Sequence, residues 1–135
     1  MDYVFLDNVR ITPSVSAKSE KMLKDDEWFF PMHFPGNPML PGVFQMEMIQ
    51  QTGGLIINTM DGKRDLPLYF YAAKDISVRK SAKPGDVLCA EVNLLKYKRG
   101  IAKFHGFLSV NEEPSCEMDF SLVAPDELVG GLADA

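Results

Sequence analysis

The sequence predicts an α+β domain in which a curled, mostly antiparallel sheet wraps a single long helix. Three observations predict it. Val43 to Met60 is apolar around most of a helical circumference, so this helix belongs inside the molecule rather than on its surface. From Leu66 onward the pattern changes to short runs separated by tight-turn residues, the signature of antiparallel strands. A chain of 135 residues, 46% of them hydrophobic, is also large enough to close a core around one helix without covalent staples.

Residues 3–11 (YVFLDNVRI) read as a short apolar strand or docking segment, ended by Thr12-Pro13-Ser14. Val15 to Leu23 is expected as a second strand and Asp25-Asp26-Glu27 as a solvated turn. Between Trp28 and Pro41, Pro31, Pro35, Gly36, Pro38 and Pro41 fix the backbone and remove amide donors, which excludes helix and central strand. The helix opens at Pro41-Gly42, where first-turn N–H groups lack an intrahelical partner anyway. From Val43 to Met60 it spans 18 residues, roughly 27 Å at ~1.5 Å per residue. Gly53-Gly54 lie inside it, each at a cost on the order of 1 kcal/mol relative to alanine; the expected reason is close approach of another backbone. Asp61-Gly62-Lys63 ends the helix. Strands are then expected at Leu66–Ala73, Asp75–Lys80, Val87–Tyr97, Ile101–Val110 and Ser115–Val123. Their turns are Pro84-Gly85-Asp86, Lys98-Arg99-Gly100 and Asn111–Pro114, and the tail after Ala124 is expected to fray. The whole chain, 1–135, therefore reads as one domain. A sheet of this kind leaves an edge strand and part of the helix uncovered, which favours dimerisation.

Composition narrows the function. A net charge of −5 and a pI near 5.0 argue against nucleic acid as the main partner, since phosphate binding needs surplus Lys and Arg. The start, MDYVFLDNVR, lacks the basic and apolar regions of a secretory signal. Gln45, Glu47, Gln50, Gln51 and Asn58 interrupt the longest apolar stretch and argue against a membrane span. Cys89 and Cys116 have no metal-type spacing and are expected as free thiols in a reducing cytoplasm. No further His or Cys stands at ligand spacing from His33, so no metal is expected.

The stretch Trp28–Met60 carries the reactive groups. His33 sits in a rigid turn, and Glu47, fourteen residues on, is the one acid of an otherwise apolar helix. Gln51, at i+4 from Glu47, shares its helix face and can orient the carboxylate. Gly42 offers an unpaired N–H at the positive end of the helix dipole, a site for a developing oxyanion. Base, acid and oxyanion donor together are the parts needed for proton abstraction next to a carbonyl. His105, in KFHGF, reads as a surface or half-buried strand residue.

The run His33-Phe34-Pro35-Gly36-Asn37-Pro38-Met39-Leu40-Pro41-Gly42-Val43, followed by Glu47 and Gln51, resembles the active-site signature of the hotdog-fold 3-hydroxyacyl-acyl-carrier-protein dehydratases of fatty-acid synthesis. Phe5-Leu6-Asp7-Asn8-Val9, Pro84-Gly85-Asp86, Lys98-Arg99-Gly100 and Phe104-His105-Gly106 extend the similarity over roughly residues 4–123. The resemblance implies a hotdog fold acting as a homodimer or assembly of dimers, the histidine of one subunit facing the acid of the other. It implies that His33 removes the C2 proton of a (3R)-3-hydroxyacyl thioester and that Glu47, directly or through a water, protonates the leaving C3 hydroxyl, giving the trans-2-enoyl product in fatty-acid or a related polyketide- or polyene-like synthesis. Gln51 would position Glu47, the Gly42 N–H would polarise the thioester carbonyl, and no cofactor would be needed. Phe44 and Met48 are candidates for the wall of an acyl tunnel along the helix.

The sequence departs from the family pattern in places. It begins near the Phe-Leu-Asp segment, without an upstream Leu-Pro-His-Arg stretch, so a different tunnel cap or assembly is expected. Trp28-Phe29-Phe30 is similar to the branch that also isomerises a double bond, but that branch carries Asp where this chain has Glu47, which favours the dehydratase-only branch. Lys74-Asp75 replaces a more apolar pattern. An acidic carrier-protein partner calls for basic docking residues, and seven of the 14 Lys+Arg fall within 25 positions: Arg79, Lys80, Lys83, Lys96, Lys98, Arg99 and Lys103. Two other readings stay open: an acyl thioesterase of the same fold, and a non-catalytic acyl-binding subunit of a heterodimer.

Overall fold

The computed structural model describes residues 6–128. In chain order the elements are β1 (Asn8–Thr12), β2 (Ser16–Met22), α1 (Gly42–Asn58), β3 (Tyr69–Val78), β4 (Val87–Lys98), β5 (Ile101–Val110), β6 (Glu113–Val123) and a 3-10 turn (Pro125–Glu127). The first strand is shorter than the apolar run 3–11: it begins at Asn8, and residues 3–5 lie outside the described part.

The six strands form one antiparallel sheet, in the order β1-β2-β4-β5-β6-β3. Helix α1 touches every one of them, which a flat sheet could not allow, so the sheet curls around it. This is the hotdog fold. Period-two alternation decides which side faces the helix. In β5, Ala102, Phe104, Gly106, Leu108 and Val110 are buried, while Lys103, His105, Phe107 and Ser109 point outward.

Turn chemistry sets the register. Arg99 and Gly100 have φ of 55° and 83°, the two positive values a two-residue hairpin needs to match strand twist. Asn111 and Glu112 do the same between β5 and β6, at 49° and 69°. Pro114, expected in that turn, lies inside β6 opposite Ser109, beside a register shift where no ladder N–H is required. The runs Leu66–Ala73 and Asp75–Lys80, expected as separate strands, are one strand, β3. It bends at irregularities between Phe70 and Ala72 and between Lys74 and Ser77, with Asp75 at φ 53°.

The helix is not enclosed all round by its own chain, as its apolar circumference predicts. Its buried side is Gln45, Met48, Ile49, Thr52, Gly53, Leu55, Ile56 and Ile57; Val43 and Glu47 stand exposed on the other. Gly53 is where the helix lies hard against the sheet: a Cβ there would come within 2.8 Å of Phe120 Cζ and 3.3 Å of Phe104 Cδ1. Those two rings stack with centroids 4.8 Å apart. Gly54 does not share this reason, since its Cβ would meet only Leu122 and Leu68 at 3.7 and 3.8 Å. Thr52 bridges the helix to β2 through a 2.7 Å hydroxyl pair with Ser19. Residues 125–128 of the tail are held rather than frayed. The Ala124 N–H donates to Gly100 O at 2.7 Å, and the Glu127 carboxylate accepts from the Tyr97 hydroxyl and the Lys63 ammonium. The rest of that tail lies outside the described residues.

Candidate active site

Phe29 and Phe30 anchor the turn before the helix, their rings buried at 3% and 4% exposure and packed edge-on, 4.6 Å apart. The Phe29 ring also meets Phe44 of α1 at 5.0 Å, so the start of the turn is fixed to the helix that follows it. The His33 N–H donates back to Phe29 O at 3.1 Å. Gly36, at φ 76°, lets the chain reverse, and Phe34 and Asn37 exchange backbone hydrogen bonds of 3.1 and 3.0 Å across the reversal. The chain then returns past His33: the Met39 N–H donates to His33 O at 2.8 Å, and His33 Nδ1 lies 3.1 Å from Met39 O. A carbonyl oxygen can only accept, so Nδ1 carries a proton in that bond. In the neutral ring the lone pair is then on Nε2. Phe34 stacks on the imidazole at 4.2 Å.

The turn delivers the chain directly into α1. Among the described residues no acceptor pairs with the Gly42 N–H, which leaves it in the field of the helix N-terminus. One turn further on, Glu47 is exposed and its Oε1 accepts a 3.2 Å hydrogen bond from Gln51 Nε2. The carboxylate, which the greasy helix leads one to expect buried, is open within the single chain. No hydrogen bond or ion pair joins His33 to Glu47 within one chain. Phe44 is half-buried beneath Trp28 (5.8 Å) and Phe29, whereas Met48 is wholly buried in the core. His105 lies on the outer face of the sheet, between Asp119 (2.6 Å) and Glu117 (3.0 Å). Among the described residues no group of three His, Cys, Asp or Glu is arranged to hold a metal ion.

A model of the FabA-like domain matches residues 4–119. The chain belongs to the FabA-like family. Its relatives include the 3-hydroxyacyl-acyl-carrier-protein dehydratase FabZ of Blochmanniella pennsylvanica, 38% identical over 102 residues, a match covering 74% of this chain and 68% of that protein. The FabZ of Chloroflexus aggregans is 31% identical over 118 residues, covering 87% and 82%. The bifunctional enzyme LpxC/FabZ of Porphyromonas gingivalis is 36% identical over 102 residues, and there the match spans 74% of this chain but only 22% of the longer relative. Among solved structures, the dehydratase heterocomplex ApeI:P from Xenorhabdus doucetiae has a TM-score of 0.66 at 18% identity, over 88% of this chain and 96% of that one. The smu.793 protein of Streptococcus mutans bound to acetyl CoA has a TM-score of 0.67 at 11% identity, over 91% of each. These structures share the fold.

In this FabA-like chain five of the seven basic residues considered for docking a carrier protein, Arg79, Lys80, Lys83, Lys98 and Arg99, form two groups. Arg79, Lys80 and Lys83 flank the helix N-terminus, where the Leu40 N–H donates to Ala82 O at 2.7 Å and Gln45 reaches Lys80 O. Lys98 and Arg99 form the β4–β5 hairpin, beside Gly100, Glu127 and the Lys63 end of the helix. Seventeen helical residues separate the two ends, roughly 25 Å. Two residues near the site escape a reading of the sequence, Gln45 and Ser115. Gln45 had a signal, a polar side chain in an apolar helix; Ser115 had none, because a serine at a strand start is ordinary.

Proposed function

We propose that this chain dehydrates (3R)-3-hydroxyacyl thioesters carried on an acyl carrier protein, forming the trans-2-enoyl thioester and water in fatty-acid synthesis. The observation that carries the reading is the His33 turn: Met39 O holds the imidazole in the tautomer whose Nε2 is a free base, immediately before a helix whose first N–H is unpaired. His33 Nε2 takes the C2 proton. The electron pair released forms the C2=C3 bond, and the C3 oxygen leaves as water with a proton supplied by Glu47, which Gln51 orients. The Gly42 N–H stabilises the negative charge developing on the thioester oxygen. Phe44 and Met48 remain the proposed tunnel wall, Met48 by shaping it from within the core.

We place the complete site between two chains. Glu47 has no His33 partner in its own chain, and the surface around both is apolar and open: Trp28, Met32, Phe34 and Val43 are each at least 49% exposed. The β3 edge beside them carries exposed Tyr69, Phe70, Tyr71, Ile76 and Val78, a long apolar edge of the kind that pairs with another chain. The cytoplasm fits the two unpaired thiols, Cys89 and Cys116.

The test is subunit complementation in the hydration of a 2-enoyl thioester. His33→Ala and Glu47→Gln, each purified alone, are expected to lose activity by at least about 10²-fold. Mixed dimers of the two variants rebuild one site with both groups intact and are expected to recover up to about half the wild-type rate per mixed dimer. Full activity in either single variant overturns the assignment. Inactive mixed dimers overturn the cross-chain site, and release of free thiol from saturated acyl thioesters favours a thioesterase instead.

A further inference from the structure

The stretch that carries the Gly42 N–H is fastened to the sheet on both sides of that amide. Before it, the Leu40 N–H donates to Ala82 O at 2.7 Å. After it, Gln45, whose side chain is fully buried, donates from Nε2 to Lys80 O at 2.8 Å. Both anchors grip the same short segment, Lys80–Ala82, which continues from β3. A Cβ on Gly42 would lie 3.6 Å from Val78 Cγ1 at the end of that strand, so the helix start and the segment run side by side.

The Gln45 amide is itself held. Its Oε1 accepts from the Ser115 hydroxyl at 2.7 Å. A hydroxyl has one proton, and this short contact takes it, so Ser115 Oγ accepts the Lys80 N–H at 3.2 Å rather than donating to the Lys80 carbonyl at equal distance. Gln45, Ser115 and the Lys80 backbone thus close a ring in which both Gln45 polar groups are paired. The Arg79 N–H, donating to Ser115 O at 2.8 Å, seats the ring on β6. A buried glutamine could have been any apolar residue as far as core packing is concerned. A hydrogen-bonded ring differs from an apolar contact in fixing distance and direction.

We propose that Gln45 and Ser115 are positioning residues for the oxyanion site: their ring sets the height and direction of the Gly42 N–H against the thioester carbonyl. The assignment rests on the dehydratase reading above. It places part of the catalytic precision in β6, outside the motif that carries the reacting groups. The ring acts in the transition state, where the oxygen carries most charge, and so on kcat rather than on substrate affinity.

The experiment compares Gln45→Leu, Ser115→Ala, the double variant and Ser115→Thr in the full chain, by steady-state hydration of a 2-enoyl thioester alongside thermal unfolding. Gln45→Leu and Ser115→Ala are each expected to lower kcat about tenfold or more, with KM within about twofold of wild type. The double variant falls no further than Gln45→Leu alone, because both lesions open the same ring. Ser115→Thr, which keeps the hydroxyl, restores most of the rate. Ser115→Ala decides the matter should Gln45→Leu not fold. A folded Ser115→Ala protein with wild-type kcat, a loss confined to KM, or a double variant whose losses simply add would each overturn the positioning role while leaving the dehydratase reading intact. A wild-type protein unable to hydrate the thioester would remove that reading and this assignment with it.

Discussion

The two histidines show how one residue type is put to different uses by its hydrogen-bond partner. His33 is fixed by a backbone carbonyl, which orients the ring without adding charge. His105 is fixed by carboxylates: Asp119 directly opposite on β6 and Glu117 one pleat away, with the side chain about a third exposed. The bond to Asp119, outweighing the opposing effect of burial, raises its pKa above the ordinary value. A group whose folded pKa is raised stabilises the fold fully below its unfolded value, near 6.5, and loses that contribution as pH rises through the folded one. Melting temperature is therefore expected to fall as pH rises above the unfolded value of about 6.5 and through the raised folded one, and His105→Gln is expected to flatten that slope while leaving hydration of the thioester intact. A wild-type slope retained in the variant would assign it to other groups. Cys116, by contrast, is pushed up to about 11 by burial, so this thiol stays protonated and inert at neutral pH.

At the scale of elements, the paired glycines of α1 are distinguished only by what lies beneath them. Gly53→Ala gains helix propensity of about 1 kcal/mol but drives a methyl into Phe120, whose ring is stacked on Phe104 and cannot swing aside. Overpacking of this kind costs about 1–3 kcal/mol, so a net loss on the order of 1 kcal/mol is expected in urea unfolding. Gly54→Ala meets only ordinary contacts and is expected to be neutral or stabilising by up to about 1 kcal/mol. Equal effects at the two positions would contradict the close approach. Element boundaries were legible wherever turn chemistry was strong: the hairpin at Arg99-Gly100 and the start of α1 at Pro41-Gly42 stand where the residues put them. The sequence misled at β3, read as two strands, because an irregularity at Asp75 bends the strand without ending it.

For the whole molecule, the split of the basic residues sorts the proposed docking surface. On the proposed mechanism a carrier-linked acyl group has to reach His33 and Gly42, and Arg79 and Lys83 lie at that end of the helix, whereas Lys98 and Arg99 lie some 25 Å away along it. Charge reversal at Arg79 and Lys83 together is expected to raise KM for a carrier-protein substrate about three- to tenfold at low salt, with less effect at high salt. KM for a small soluble thioester should not move. Lys98→Glu is expected to leave both unchanged within one chain's site. An equal rise from Lys98→Glu would place the carrier at the opposite end, across a partner's surface.

By itself the sequence determined the candidate reacting groups and their order along the chain. Proline and glycine fix a turn wherever they fall, the spacing of four residues puts Gln51 beside Glu47, and apolar periodicity requires a sheet-covered helix; each is a local rule. What only the tertiary structure decided depends on residues far apart in sequence meeting in space. Ser115 reaches Gln45 across 70 residues, Met39 returns its carbonyl to His33, and Gly53 lies on two stacked rings contributed by β5 and β6. Such contacts are set by register and by the curl of the sheet, which no short window of residues encodes. The exposure of Glu47 belongs to the same class: its helix is apolar on nearly every side, but six strands cover only part of that circumference.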